Sequence, residues 1–103
     1  MMTLDSNALA TTNAIAEYIE HIKGGVVTAP ALGQAFRLHP SRVRAYINLA
    51  RCMGLPVCSN SKGYYYSTDP AEIQATIDHK QDRIDKQTQA IKGLRESMGG
   101  KPT

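Results

Sequence analysis

The segment Ser41-Arg42-Val43-Arg44-Ala45-Tyr46-Ile47-Asn48-Leu49-Ala50-Arg51-Cys52-Met53-Gly54-Leu55-Pro56-Val57 decides the fold. Val43, Ile47 and Ala50 share one stripe at helical spacing, with Tyr46, Leu49 and Met53 beside it, so the segment reads as an amphipathic helix. Ser41 reads as its cap. Leu38-His39-Pro40 detaches the helix from what precedes it, because the residue before a proline is pushed out of helical geometry. Gly54 ends the helix and Pro56 prevents its return. Off the apolar stripe lie Ser41, Arg42, Arg44, Ala45, Asn48 and Arg51.

Upstream, Leu32, Ala35 and Phe36 give a short helix its apolar side, with Thr28 as its cap and Pro30 in its first turn. Val26-Val27 is too short for an independent strand but can join a small sheet. Before it, Ile15, Tyr18, Ile19 and Ile22 predict a helix from about Thr12 to Lys23, capped from Thr11, Thr12 or Asn13 and stopped by Gly24-Gly25. Residues 1–11 lack pattern and read as a frayed end.

Downstream, Leu55–Cys58 and Tyr64–Ser67 flank the polar, turn-favouring run Ser59-Asn60-Ser61-Lys62-Gly63, which predicts a β-hairpin. Strand alternation turns Tyr65 away from Tyr64 and Tyr66, so at least one tyrosine belongs to the core. A base-stacking platform is the other use for such a triplet. Asp69-Pro70-Ala71-Glu72 is a compact helix start: a capping carboxylate, a proline at the first position and a glutamate at the third. The final helix then runs to about Met98, ahead of a frayed tail at 99–103.

Charge is distributed unevenly. Between His21 and Thr68 there are six basic residues and no Asp or Glu, whereas from Asp69 onward six basic residues meet six acidic ones. A basic head on a charge-balanced stem suits binding to a polyanion, although a modest positive excess also serves solubility. With 103 residues the chain supports one small domain and an appendage. No apolar run approaches the roughly 20 residues that span a bilayer, and the first ten residues lack the form of a secretory signal, so the expected location is cytoplasmic.

Catalytic chemistry is not indicated. His21, His39 and His79 are far apart, and Cys52 and Cys58 lack Cys-x-x-Cys spacing, so no metal site is expected. Both cysteines read as reduced thiols packed as small apolar groups. There is no Gly-rich phosphate loop and no nucleophile-elbow serine, hence no enzyme and no cofactor.

The order helix, short strand, short helix, sharp turn, longer helix, hairpin is that of a winged helix-turn-helix. The resemblance is carried by Leu32-Gly33-Gln34-Ala35-Phe36, Ser41–Ile47, Gly54-Leu55-Pro56-Val57 and Lys62-Gly63-Tyr64-Tyr65-Tyr66. Over Val26–Ser67, about 40% of the chain, the sequence resembles winged helix-turn-helix domains of biotin-repressor-like regulators and of small phage or prophage proteins. The expected fold is therefore mainly α with a small β-hairpin wing, as a domain over 12–68, followed by a coiled-coil-like helix over 69–98.

The resemblance implies binding to double-stranded DNA. Arg binds guanine and Asn binds adenine through paired hydrogen bonds, and the N-terminal part of a recognition helix faces the bases. Arg42, Arg44 and Ala45 are thus the base-facing candidates, Asn48 lies deeper, and Arg51 reaches a phosphate or pairs with a carboxylate. Ser59, Asn60, Ser61 and Lys62 are the wing contacts to phosphate or minor groove. The regulator reading stands beside two others: an interaction protein that inhibits or adapts a host protein, and an origin-binding replication accessory.

In the final helix Ile77, Ile84, Ile91 and Met98 recur every seven residues, with Ile73, Lys80, Gln87 and Leu94 at the companion position. A helix from Pro70 to Met98 spans about 43 Å, longer than a small head can cover. Homodimerisation through Ile73, Ile77, Ile84, Ile91, Leu94 and Met98 is therefore expected, parallel or antiparallel. The alternative is a helix that packs on its own domain for two or three turns and frays beyond.

Overall fold

The computed structural model describes residues 6–22 and 25–99. Its elements run α1 (Ser6–His21), α2 (Ala29–Phe36), α3 (Pro40–Cys52), β1 (Val57–Asn60), β2 (Gly63–Tyr66) and α4 (Pro70–Ser97). The chain divides into two compact units, Met1–Ile73 and Gln74–Thr103. No helix among the described residues is long and apolar enough to cross a membrane.

The first unit is built around α3. Its Val43, Tyr46, Ile47 and Ala50 are buried and join Ile15, Ala16 and Ile19 of α1, Ala29 and Leu32 of α2, Val27 and Val57 in one cluster. Phe36, Leu38, Leu49, Leu55, Tyr64 and Tyr66 are half-buried against this cluster. Two of the three consecutive tyrosines thus pack inward, as alternation requires. Ala35, expected on the apolar side of α2, is exposed, and so is Met53 of the α3 stripe.

The α1 helix begins at Ser6 rather than near Thr12, so much of the segment expected to fray is ordered helix. Its inward face is Ala8, Thr12, Ile15, Ala16 and Ile19. Small residues at four-residue spacing make a burial stripe that carries little hydropathy contrast. Thr12, expected as a cap, is instead fully buried, and its hydroxyl has no hydrogen-bond partner. Tyr18, read as part of the apolar stripe, is exposed and meets Phe36 edge-on at 5.5 Å between ring centroids. The helix ends at His21; the expectations for Lys23 and Gly24, for residues 1–5 and for the tail 100–103 lie outside the described residues.

Thr28 caps α2, its hydroxyl accepting the Ala31 N–H at 3.2 Å. At the other end Arg37 takes φ 54, and the Leu38 N–H closes onto the Gly33 carbonyl at 2.8 Å. The returning chain comes so close that a Cβ on Gly33 would lie 2.5 Å from the Leu38 carbonyl oxygen. Glycine there is what permits the tight joint between α2 and α3. The cap of α3 is His39, not Ser41: its ring Nδ1 accepts the Ser41 N–H at 3.1 Å and lies 2.8 Å from the Ser41 hydroxyl. Pro40 occupies the first helical position, where a missing N–H costs nothing, and this puts the cap at His39, two residues before Ser41.

In the hairpin, β1 and β2 pair antiparallel with Val57 opposite Tyr66, Cys58 opposite Tyr65, Ser59 opposite Tyr64 and Asn60 opposite Gly63. The connecting turn is therefore only Ser61-Lys62; Ser59 and Asn60, read as loop, belong to β1. On its other edge β2 accepts Val27, through Val27 N–H to Tyr64 O at 2.9 Å and Tyr64 N–H to Val27 O at 2.8 Å. Val27 thus joins the sheet as its short sequence allowed. Gly63 sits at φ +142, where a Cβ would lie 2.6 Å from the Val27 carbonyl oxygen.

At the start of α4 the Asp69 carboxylate accepts the Ala71 N–H at 2.9 Å. Glu72 is linked to the cap N–H through Ser67. It accepts the Ser67 hydroxyl at 2.7 Å, and that hydroxyl accepts the Asp69 N–H at 3.1 Å. Farther along, the helix carries the local pairs Gln74–Asp78, Gln81–Asp85 and Lys86–Asp82 at four-residue spacing. Such pairs contribute only about 0.2–0.5 kcal/mol each. Ile77, Ile84 and Ile91 are about half exposed, and Leu94 and Met98 more so; Ile73 is half-buried.

Candidate nucleic-acid interface

The solvent side of α3 follows from its pitch. At 100° per residue Ser41, Ala45 and Asn48 fall in one row, with Arg42 and Arg44 on its two flanks. All five are exposed, and the buried residues Val43, Tyr46, Ile47 and Ala50 hold the opposite face. The Arg42 guanidinium donates to the Tyr46 hydroxyl at 3.3 Å and lies 5.6 Å from that ring's centroid, so it is held along the helix flank. Arg44 has no such tether among the described residues. At the hairpin tip Asn60, Ser61 and Lys62 are exposed, and the Asn60 side-chain oxygen accepts the Lys62 N–H at 2.8 Å, which fixes the turn.

Arg51 and Ser59 are placed differently. The Arg51 Nε donates to the Val57 carbonyl at 2.7 Å, a terminal guanidinium nitrogen donates to the Ser59 hydroxyl at 3.2 Å, and the guanidinium lies 5.7 Å from the Tyr64 centroid. Burial pushes its pKa below the ordinary arginine value, while Tyr64 and Cys58 act electrostatically in the opposite direction. Arginine remains charged at neutral pH, so that burial is a cost which its directed hydrogen bonds offset. The guanidinium has no carboxylate partner among the described residues, and its hydrogen bonds go to the hairpin. Its place is between α3 and the hairpin, so the ten candidates divide into eight exposed side chains and a pair that fixes the frame.

Arg37 is one of the six basic residues of the acid-free span but is not among the contact candidates named from sequence. It is exposed in the turn between α2 and α3. Its signal was weak, because the left-handed position after a helix more commonly holds glycine. Arg37, Arg42, Arg44 and Lys62 have no ion pair with the described residues. No group of three or more His, Cys, Asp or Glu side chains that could hold a metal occurs among the described residues. Of the two free thiols Cys58 is buried as expected, but Cys52 is exposed. Comparison of the chain with protein-family models, curated proteins and solved structures yields no match.

Proposed function

We propose that the first unit is a winged helix-turn-helix that binds double-stranded DNA, with α3 entering the major groove and the hairpin tip resting on the backbone, and that the protein acts as a phage- or prophage-type transcriptional regulator. The observation that carries this reading is the set of four exposed cations, Arg37, Arg42, Arg44 and Lys62, on a span with no acidic residue. A helix fits the major groove, and cations without internal ion pairs are available to displace phosphate counterions. Ser41, Ala45 and Asn48 form the row aimed at base edges, flanked by the two arginines. Arg51 and Ser59 act as positioning residues that fix the hairpin against α3.

The same reading includes a homodimer formed through α4. The exposed fractions of Ile77, Ile84, Ile91, Leu94 and Met98 together equal about three whole side chains per copy, worth about 5–9 kcal/mol on full burial. Two copies gain twice that, against an association cost of about 4–15 kcal/mol. At the middle of both ranges the balance favours pairing by about 4–5 kcal/mol, a submillimolar affinity.

The test is fluorescence anisotropy on DNA from the protein's own upstream region. Arg42→Ala with Arg44→Ala is expected to weaken binding by about 1–3 kcal/mol per lost base contact, with unchanged tyrosine spectra. Equal affinity of the double variant and the parent would refute the assignment of α3. Absence of DNA binding together with stoichiometric capture of one host protein would instead favour the interaction-protein reading.

A further inference from the structure

We infer that α4 pairs with α4 of a second copy in antiparallel orientation, in the register that sets Ile84 against the partner's Gln87. This rests on the homodimer proposed above and adds its direction and alignment. Two symmetric pairings are open to a heptad helix. In the parallel one, each core position meets itself. Lys80 would then face the partner's Lys80, with like charges opposed, and Gln87 the partner's Gln87, two polar layers separated only by Ile84.

Antiparallel pairing sets the two core positions against each other instead. With Ile84 on the partner's Gln87, Ile91 covers the partner's Lys80, whose methylene stem lies on apolar surface while its ammonium reaches water. At both ends the layers are wholly apolar: Ile77 on the partner's Leu94, and Met98 on the partner's Ile73. Every heptad layer of the helix is used, and the exposed large apolar residues Ile77, Ile84, Ile91, Leu94 and Met98 all become covered.

Flanking charges select this register over its neighbours. Here Arg83 lies beside the partner's Ala90 and Arg95 beside the partner's Gln74, so no like charges meet. A slip of one heptad in one direction brings Arg83 against the partner's Arg83, sets Leu94 on the partner's Pro70 and uncovers Met98. The opposite slip leaves Ile73 and Ile77 without a facing layer. Antiparallel helix dipoles add a favourable term that parallel ones lack.

Spin labels on the full-length chain test the inference. Glu96 and Gln89 are exposed positions on the side of α4 opposite the core positions. Glu96→Cys and Gln89→Cys are each made in a Cys52→Ser background, since Cys52 is the exposed native thiol and Cys58 is buried. The inferred register offsets the two Glu96 labels by about 31 Å along the helix axis, and the two Gln89 labels by about 10 Å. Sedimentation equilibrium on the same samples establishes the dimer, and electron–electron distance measurement then reads the spacing. A dimer whose Glu96 labels lie much farther apart than its Gln89 labels is the expected result. A dimer with equal, short distances at both positions overturns the antiparallel arrangement and leaves the homodimer standing. A monomer at about 1 mM, above the submillimolar affinity expected, overturns both.

Discussion

Arg51→Lys separates a frame-holding arginine from a phosphate-binding one, because lysine keeps the charge and loses the planar fork. In the structure that fork spans from the Val57 carbonyl to the Ser59 hydroxyl and lies beside the Tyr64 ring. A single ammonium can replace at most one of the two hydrogen bonds at this geometry. A bond from a charged donor is worth about 1.5–3 kcal/mol and the ring contact about 0.5–1 kcal/mol at an exposed site. The easier solvation of a lysine returns part of this, so the expected loss is about 1–2 kcal/mol. For a domain of this size 1 kcal/mol moves Tm by roughly 4–8 °C, which predicts a fall of about 4–16 °C. All five tyrosines lie between Tyr18 and Tyr66 and there is no tryptophan. Near-ultraviolet circular dichroism therefore follows the first unit alone, free of signal from the remainder of α4. DNA affinity, measured well below the variant's Tm, is expected to stay within about twofold of the parent, with the salt dependence unchanged. An unaltered Tm accompanied by weaker binding and a shallower salt dependence would refute the reasoning and return Arg51 to the phosphates.

Two core substitutions test the rest of the frame. Thr12→Val removes a fully buried hydroxyl that lacks a partner and keeps its volume, and is expected to raise stability by about 1 kcal/mol in urea denaturation; a loss would mean that the hydroxyl is satisfied. Gly63→Ala forces a Cβ into the Val27 carbonyl at a φ that side chains rarely adopt, and is expected to cost at least about 2 kcal/mol. Parent-like stability in the same assay would show that Val27 is not held against β2.

Much of the frame is legible in sequence because it is written in local chemistry. Thr28 before a proline, Gly54 followed by Pro56, and Asp69-Pro70 each mark a boundary through backbone geometry alone. The start of α1 is not legible in the same way, since Ala8, Thr12 and Ala16 bury by being small. His39 as a cap is implied by Pro40 at the first helical position, a stronger signal than the serine that follows it. In the candidate site, exposure at Ser41, Arg42, Arg44, Ala45 and Asn48 follows from helical periodicity. The placement of Arg51 does not, because its partners come from a strand beyond the helix and no spacing rule encodes a side chain reaching the Val57 carbonyl. Heptad spacing in α4 marks which residues can be covered, whereas the direction of a partner helix depends on which side chains would then stand opposite each other.

The two-residue turn at Ser61-Lys62 limits what the hairpin can touch. Pairing persists up to Asn60 and Gly63, and Gly63 is itself lodged against Val27, so almost no chain is left over to extend outward. Such a tip can press on a neighbouring surface at one point but cannot trace along it. Residues inserted between Ser61 and Lys62 would lengthen this probe without entering the sheet, making that peptide bond a natural place to graft a reporter or to engineer a longer reach.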